Sequence, residues 1–156
     1  MTTKLLNPGD VHTPAGPYSH MAVVPAGAEL VFLAGQVGMR PDGSIAEGFA
    51  EQAEVTFENI RACLAAHGLG FEAVVKLGVF VLPGQDLKVL RAIREKHFGP
   101  HRPTSTTVCV PQLASPAFLL EVEAVAVKTS RVPRRGVART TPRSGAKDKR
   151  GRKGQR

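Results

Sequence analysis

At 156 residues with 42% hydrophobic side chains, the chain is long enough to bury one core and too short for two sizeable domains. No apolar run approaches the roughly 20 residues of a membrane span, and the N-terminal stretch MTTKLLNPGD lacks the apolar core of a signal peptide, so a soluble, cytoplasmic protein is expected. The formal net charge of +8 is unevenly placed: residues 128–156 hold 12 of the 21 Lys and Arg against the lone acid Asp148, leaving nine bases against 12 acids in residues 1–127.

Two physical objects follow, a mildly acidic folded body over residues 1–128 and a basic segment over 129–156. The segment is rich in Pro and Gly and nearly free of large apolar side chains, so it is expected to be disordered when free. Such segments bind polyanions through salt-dependent, nonspecific contacts, which makes nucleic acid a candidate partner. It offers no aromatic ring for base stacking.

Residues 1–20 are punctuated by Pro14, Gly16 and Pro17 and suggest a looped start. Met21–Val24 is a short strand candidate. Glu29–Val37 is a β-branched and aliphatic run of the kind buried on both faces of a sheet. Gly35 within it marks a bulge or a close approach to the backbone. From Phe49 to His67 the period turns helical, with Phe49, Ala53, Phe57, Ile60 and Leu64 on one stripe and Gly68 placed to stop the helix. Val74–Leu82 is another strand. Asp86 is placed to cap a second helix over Leu87–Phe98, with Leu87, Leu90 and Ile93 facing inward.

The closing stretch, Arg102–Lys128, reads as two strands, Ser105–Val110 and Phe118–Val127, forming a hairpin. In the second, Leu120, Val122, Ala124 and Ala126 share one face, and Leu119, Glu121, Glu123 and Val125 the other. Two carboxylates on an otherwise apolar strand point to a buried site or an interface. The order β-β-α-β-α-β-β places two helices on one face of a mixed sheet and leaves the other face bare, so self-association through that face is expected. Cys63 and Cys109 fall in apolar surroundings, at a spacing that suits neither zinc nor a disulfide framework, and are expected as buried free thiols. The five histidines show no HExxH spacing, so no metal site is expected.

Five segments in order, Gly16-Pro-Tyr-Ser19, Leu33-Ala-Gly-Gln-Val37, Glu51–Leu64 with Asn59, Val75-Lys76 with Val79-Phe80, and Glu121-Val-Glu-Ala124, resemble the Rid family, also called YjgF or RidA-like proteins. The resemblance spans residues 10–128. It implies an α+β fold like that of chorismate mutase, packed as a homotrimer with small-molecule clefts between subunits. Members hydrolyse reactive enamines and imines to keto acids and ammonia without a metal or cofactor, and older family names include translation inhibitor and L-PSP endoribonuclease.

On the same resemblance, Tyr18 is the cleft tyrosine, Ala34 and Gly35 the strand backbone lining the pocket, and Glu121 the group that positions water as general base. Ser105 stands where the family carries an arginine for the substrate carboxylate, and Arg91 where the second helix often has asparagine. Two charge-assisted bonds are worth about 3–6 kcal/mol together, or roughly 10²–10⁴ in binding. The lost arginine therefore implies altered substrate or reduced activity. Arg91, Arg102 and Arg40 are the candidate replacements, and Ser105, Thr106 and Thr107 would line the cleft mouth with hydroxyls. The competing expectations are a nonenzymatic metabolite-binding protein on the same fold and a nucleic-acid-associated protein, endoribonuclease-like or translation-inhibitor-like, acting through the basic segment.

Overall fold

A computed structural model describes residues 2–129. The expectations for residues 130–156 fall outside those described. Strands are β1 (Lys4–Leu6), β2 (Met21–Val23), β3 (Glu29–Val37), β4 (Val74–Val81), β5 (Thr104–Cys109) and β6 (Leu120–Lys128); helices are α1 (Gly48–Ala66) and α2 (Leu87–Phe98). Helix ends agree with the periodicity because their stop signals are local. Asp86 Oδ1 accepts the Lys88 backbone N–H at 2.8 Å. At the end of α1, Gly68 adopts φ +69°, and the Leu69 and Gly68 N–H groups bond the Leu64 and Ala65 carbonyls.

The main sheet has the order β3-β6-β4-β5, with β6 antiparallel to both neighbours and β5 parallel to β4. This overturns the expected closing hairpin, since β5 and β6 are not paired to each other. The ten-residue connection Val110–Leu119, with Pro111 and Pro116, is no tight turn. It lets β6, whose alternate residues all need cover, enter the centre of the sheet, while the Thr-rich β5 takes an edge. Nor is β3 covered on both sides: it is the opposite edge, with Phe32 74% exposed. The looped start also contains a strand, since β1 pairs with β2.

Both helices lie on one sheet face. Ala53, Phe57, Ile60 and Leu64 of α1 pack with Leu77, Val79 and Val81 of β4 and with Leu120, Val122, Ala124 and Ala126 of β6. In α2 the buried residues are Leu90, Arg94 and Phe98, whereas Leu87, expected inside, is 47% exposed near the helix start. Gln52 joins the layers. Its amide donates to the Ala46 and Ala117 carbonyls, and its Oε1 accepts from the Leu119 N–H at 2.9 Å. Cys63 and Cys109 are both exposed, contrary to expectation. Cys63 lies off the α1 stripe, and Cys109 closes an edge strand. Among the described residues no helix is long and apolar enough to cross a membrane.

Candidate functional site

The bare sheet face carries Phe32 and Leu30 of β3, Glu121, Glu123 and Val125 of β6, and Lys76 and Phe80 of β4. Each glutamate lies across a glycine on a neighbouring strand. Gly35 falls where β3 shifts register between Leu33 and Gln36, and a Cβ there would run into the Glu121 carboxyl group. A Cβ at Gly78 of β4 would lie 2.5 Å from Glu123 Oε1. The Gly35 backbone therefore meets both descriptions drawn from its sequence, a bulge and a close approach. Lys76 Nζ donates to Thr106 Oγ1 at 2.8 Å on this same face.

On the other side of the sheet, at the β5 edge, a cavity of about 450 Å³ opens between α2, β5 and the loop at residues 15–18. Tyr18, Arg91, Arg94, Ser105, Thr106 and Thr107 border it, over an apolar floor that includes Leu90 and Val79. Its volume is that of a small-molecule site. Arg94 holds the walls together: Nη1 donates to Ser105 Oγ at 3.1 Å and Nη2 to the Pro17 carbonyl at 2.9 Å. Burial, and then the neighbouring positive charge of Arg102, bring its pKa down to about 10, which leaves it charged at neutral pH. The loop is also fixed by the Ser19 N–H donating to the Pro103 carbonyl.

Tyr18, Arg91, Ser105 and Thr106 are thus brought to one cavity, while Glu121, Ala34 and Gly35 are not among its lining residues. Of the arginines weighed from sequence, Arg40 pairs with Glu51 and Arg102 donates to the Gly99 and His101 carbonyls, leaving Arg91 at the cavity. Arg94 was missed. Its signal was its position, four residues from both Leu90 and Phe98, a charge on the buried stripe. Asn59 proves to be a clamp, donating to the Val37 and Met39 carbonyls.

Glu54, Glu58 and His97 bring three ligand-type atoms within 4.8 Å of one another at the α1–α2 contact, a grouping invisible to sequence spacing. Their charges are already answered by Lys96, which donates to Glu54 at 2.6 Å, and by Arg61, which pairs with Glu58. His97 is stacked on Phe57.

The family described as Endoribonuclease L-PSP matches residues 10–128. A RutC family protein of Aquifex aeolicus is 36% identical over 118 residues, covering 74% of this chain and 91% of that protein. An Escherichia coli K12 protein whose name includes the words "reactive intermediate deaminase TdcF" is 31% identical over 104 residues, 65% of this chain and 81% of the other. The crystal structure of E. coli TdcF with bound serine superposes with a TM-score of 0.61 at 28% identity, over 76% of this chain and 98% of that one. The Yersinia pestis Rid protein YyfB shares the fold, with a TM-score of 0.72 at 23% identity, over 81% of this chain and 98% of that one.

Proposed function

The chain belongs to the endoribonuclease L-PSP family, the Rid family, and on that premise we propose that it is a deaminase-type hydrolase of small reactive imines or enamines, working at clefts between the subunits of a homotrimer. The observation that carries this reading is the separation of two half-sites on one chain. Glu121 lies over Gly35 on the bare face, and the cavity bordered by Tyr18, Arg91 and Ser105 opens at the β5 edge on the helix side. The strands β6 and β5 are two places apart, about 10 Å at ordinary strand spacing. A second copy, laid with its open edge against this face, would close one half-site on the other. The exposed Phe32 and Leu30 give such a contact an apolar centre.

In the proposed reaction Glu121 takes a proton from water as the oxygen attacks the imine carbon. The C=N bond becomes a C–N single bond with its electron pair on nitrogen, which receives the proton held by Glu121. Glu121 then passes the hydroxyl proton of the tetrahedral carbinolamine to the same nitrogen as the C=O bond forms and the C–N bond breaks, giving ammonia and the keto product. Backbone N–H groups near Gly35 would hold the developing charge, and the Tyr18 hydroxyl would orient the substrate. Ser105, in place of an arginine, supplies one neutral hydrogen bond at most, so the substrate is altered or turnover reduced relative to arginine-bearing members.

The test is ammonia and keto-acid release from imines generated freshly from a panel of amino acids, 2-iminopropanoate among them. The expected result is acceleration over buffer for at least one imine, falling about 10²-fold or more in Glu121→Gln. Acceleration of none would sink the enzymatic reading and leave a binding protein on the Rid fold.

A further inference from the structure

The cavity at the β5 edge carries an unanswered charge. Among the described residues that line it, only Arg91 and Arg94 are charged, and none is acidic. Among the described residues neither arginine has a carboxylate partner within salt-bridge distance, although Arg40 and Arg61 both do. Arg94 is 9% exposed. A cation this buried costs free energy unless something negative faces it. Its two bonds go to neutral oxygens, Ser105 Oγ and the Pro17 carbonyl, and its guanidinium lies 5.8 Å from the Phe98 ring centroid; the other three of its five N–H donors make no hydrogen bond among the described residues. Arg91, one helical turn before it, is exposed and makes no side-chain hydrogen bond among the described residues. Its guanidinium lies over Gly16, where a Cβ would come within 3.3 Å of Nη2. Hydroxyls of Tyr18, Ser105 and Thr107 complete the polar lining, and all can donate to oxygen.

Two guanidinium groups one turn apart, facing one cavity without a counter-charge, exceed what a single carboxylate would answer. We infer that this cavity receives a compact organic dianion, a dicarboxylate or a phosphate monoester, with Arg94 at its floor and Arg91 at its mouth. This rests on the cavity being the substrate half-site proposed above, and it narrows the substrate class. The guanidinium comes from α2, against the serine of β5, so the charge enters from the helix side and Arg91 adds a second.

Tyr18 is the only tyrosine in a chain without tryptophan, so its fluorescence reports this cavity alone. The full-length chain is titrated at constant ionic strength with inorganic phosphate, malonate and acetate, at a pH where phosphate is doubly charged. The wild type is expected to bind at least one dianion about tenfold or more tightly than acetate. Arg91→Gln, at an exposed position, is expected to bring that ratio near one without changing the melting temperature. Arg94→Lys keeps the charge but not the fork, and is expected to weaken all three anions. The basic tail is present in every variant and cancels. Preference for phosphate alone assigns a phosphate ester, and for malonate alone a dicarboxylate; either supports the inference. Equal affinity for acetate and both dianions in the wild type, or a ratio unmoved by Arg91→Gln, overturns it. Imine hydrolysis with no dianion preference would remove this inference and leave the hydrolase. A dianion preference with no imine hydrolysed would do the reverse.

Discussion

The two faces of β6 share one backbone and have opposite fates. Leu120, Val122, Ala124 and Ala126 are 0–2% exposed beneath the helices, whereas Glu121 and Val125 are half-buried and Glu123 is exposed on the open side. The covered face has its packing satisfied within one chain. On the open face the carboxylates rest against glycines, beside Phe32 and Leu30, which are exposed among the described residues. On the proposed function, core packing and the Glu121 carboxylate divide between the two sides of one strand, at a period of two residues. A substitution on one side should therefore show in folding, and on the other in activity or association.

The largest contrast is predicted for Leu120→Ala against Glu121→Ala. Denaturant unfolding should show a loss of about 2–5 kcal/mol for the first, through a cavity in the core, and within about 0.5 kcal/mol for the second. Equal losses would break the division between the faces. Gly35→Val, which displaces the Glu121 carboxyl group, should lower imine hydrolysis about 10²-fold, or about 2.7 kcal/mol of barrier. Hydrolysis at wild-type rate would show that the Glu121–Gly35 contact has no part in the chemistry. If the proposed trimer forms through the open face, Phe32→Glu should shift sedimentation toward single chains, at an expected cost of about 1–3 kcal/mol per contact; an unchanged profile would mean the open face is not the interface.

The smallest effect lies at the rim of the helix layer. The hydrogen bond from Lys96, aided by the charge of His97, holds Glu54 below its ordinary 4.5. Its stabilising contribution is therefore present above the unfolded-state pKa and is lost as pH falls through the lower folded value. For a pair this solvated the change should stay under about 1 kcal/mol. Glu54→Gln should flatten that part of the stability profile below about pH 4.5, as read by thermal melts across pH.

Much of the fold was legible residue by residue. The span Leu87–Phe98 is the observed α2, and Phe49–His67 differs from α1 by one residue at each end. The alternation of β6 was readable too, because a strand's faces are set by backbone geometry alone. The pairing of the strands was not. Proximity in sequence suggested a hairpin for β5 and β6, but burial demanded that β6 lie between β3 and β4. Half the candidate site was similarly hidden, since Arg94 reads as one more helix cation until its neighbours are known.

From the sequence alone came both helices with their caps, every strand but β1, the covered and open faces of β6, and the family resemblance, all of which depend on residues within a turn or two of one another or on a linear pattern. Tertiary structure alone decided the strand order, the clamp from Gln52 to Leu119, and the arginine that Ser105 faces. Those contacts join residues far apart along the chain, Arg94 with Pro17 across 77 positions and Gln52 with Leu119 across 67. Their formation depends on which apolar faces bury one another, a choice that no local window contains.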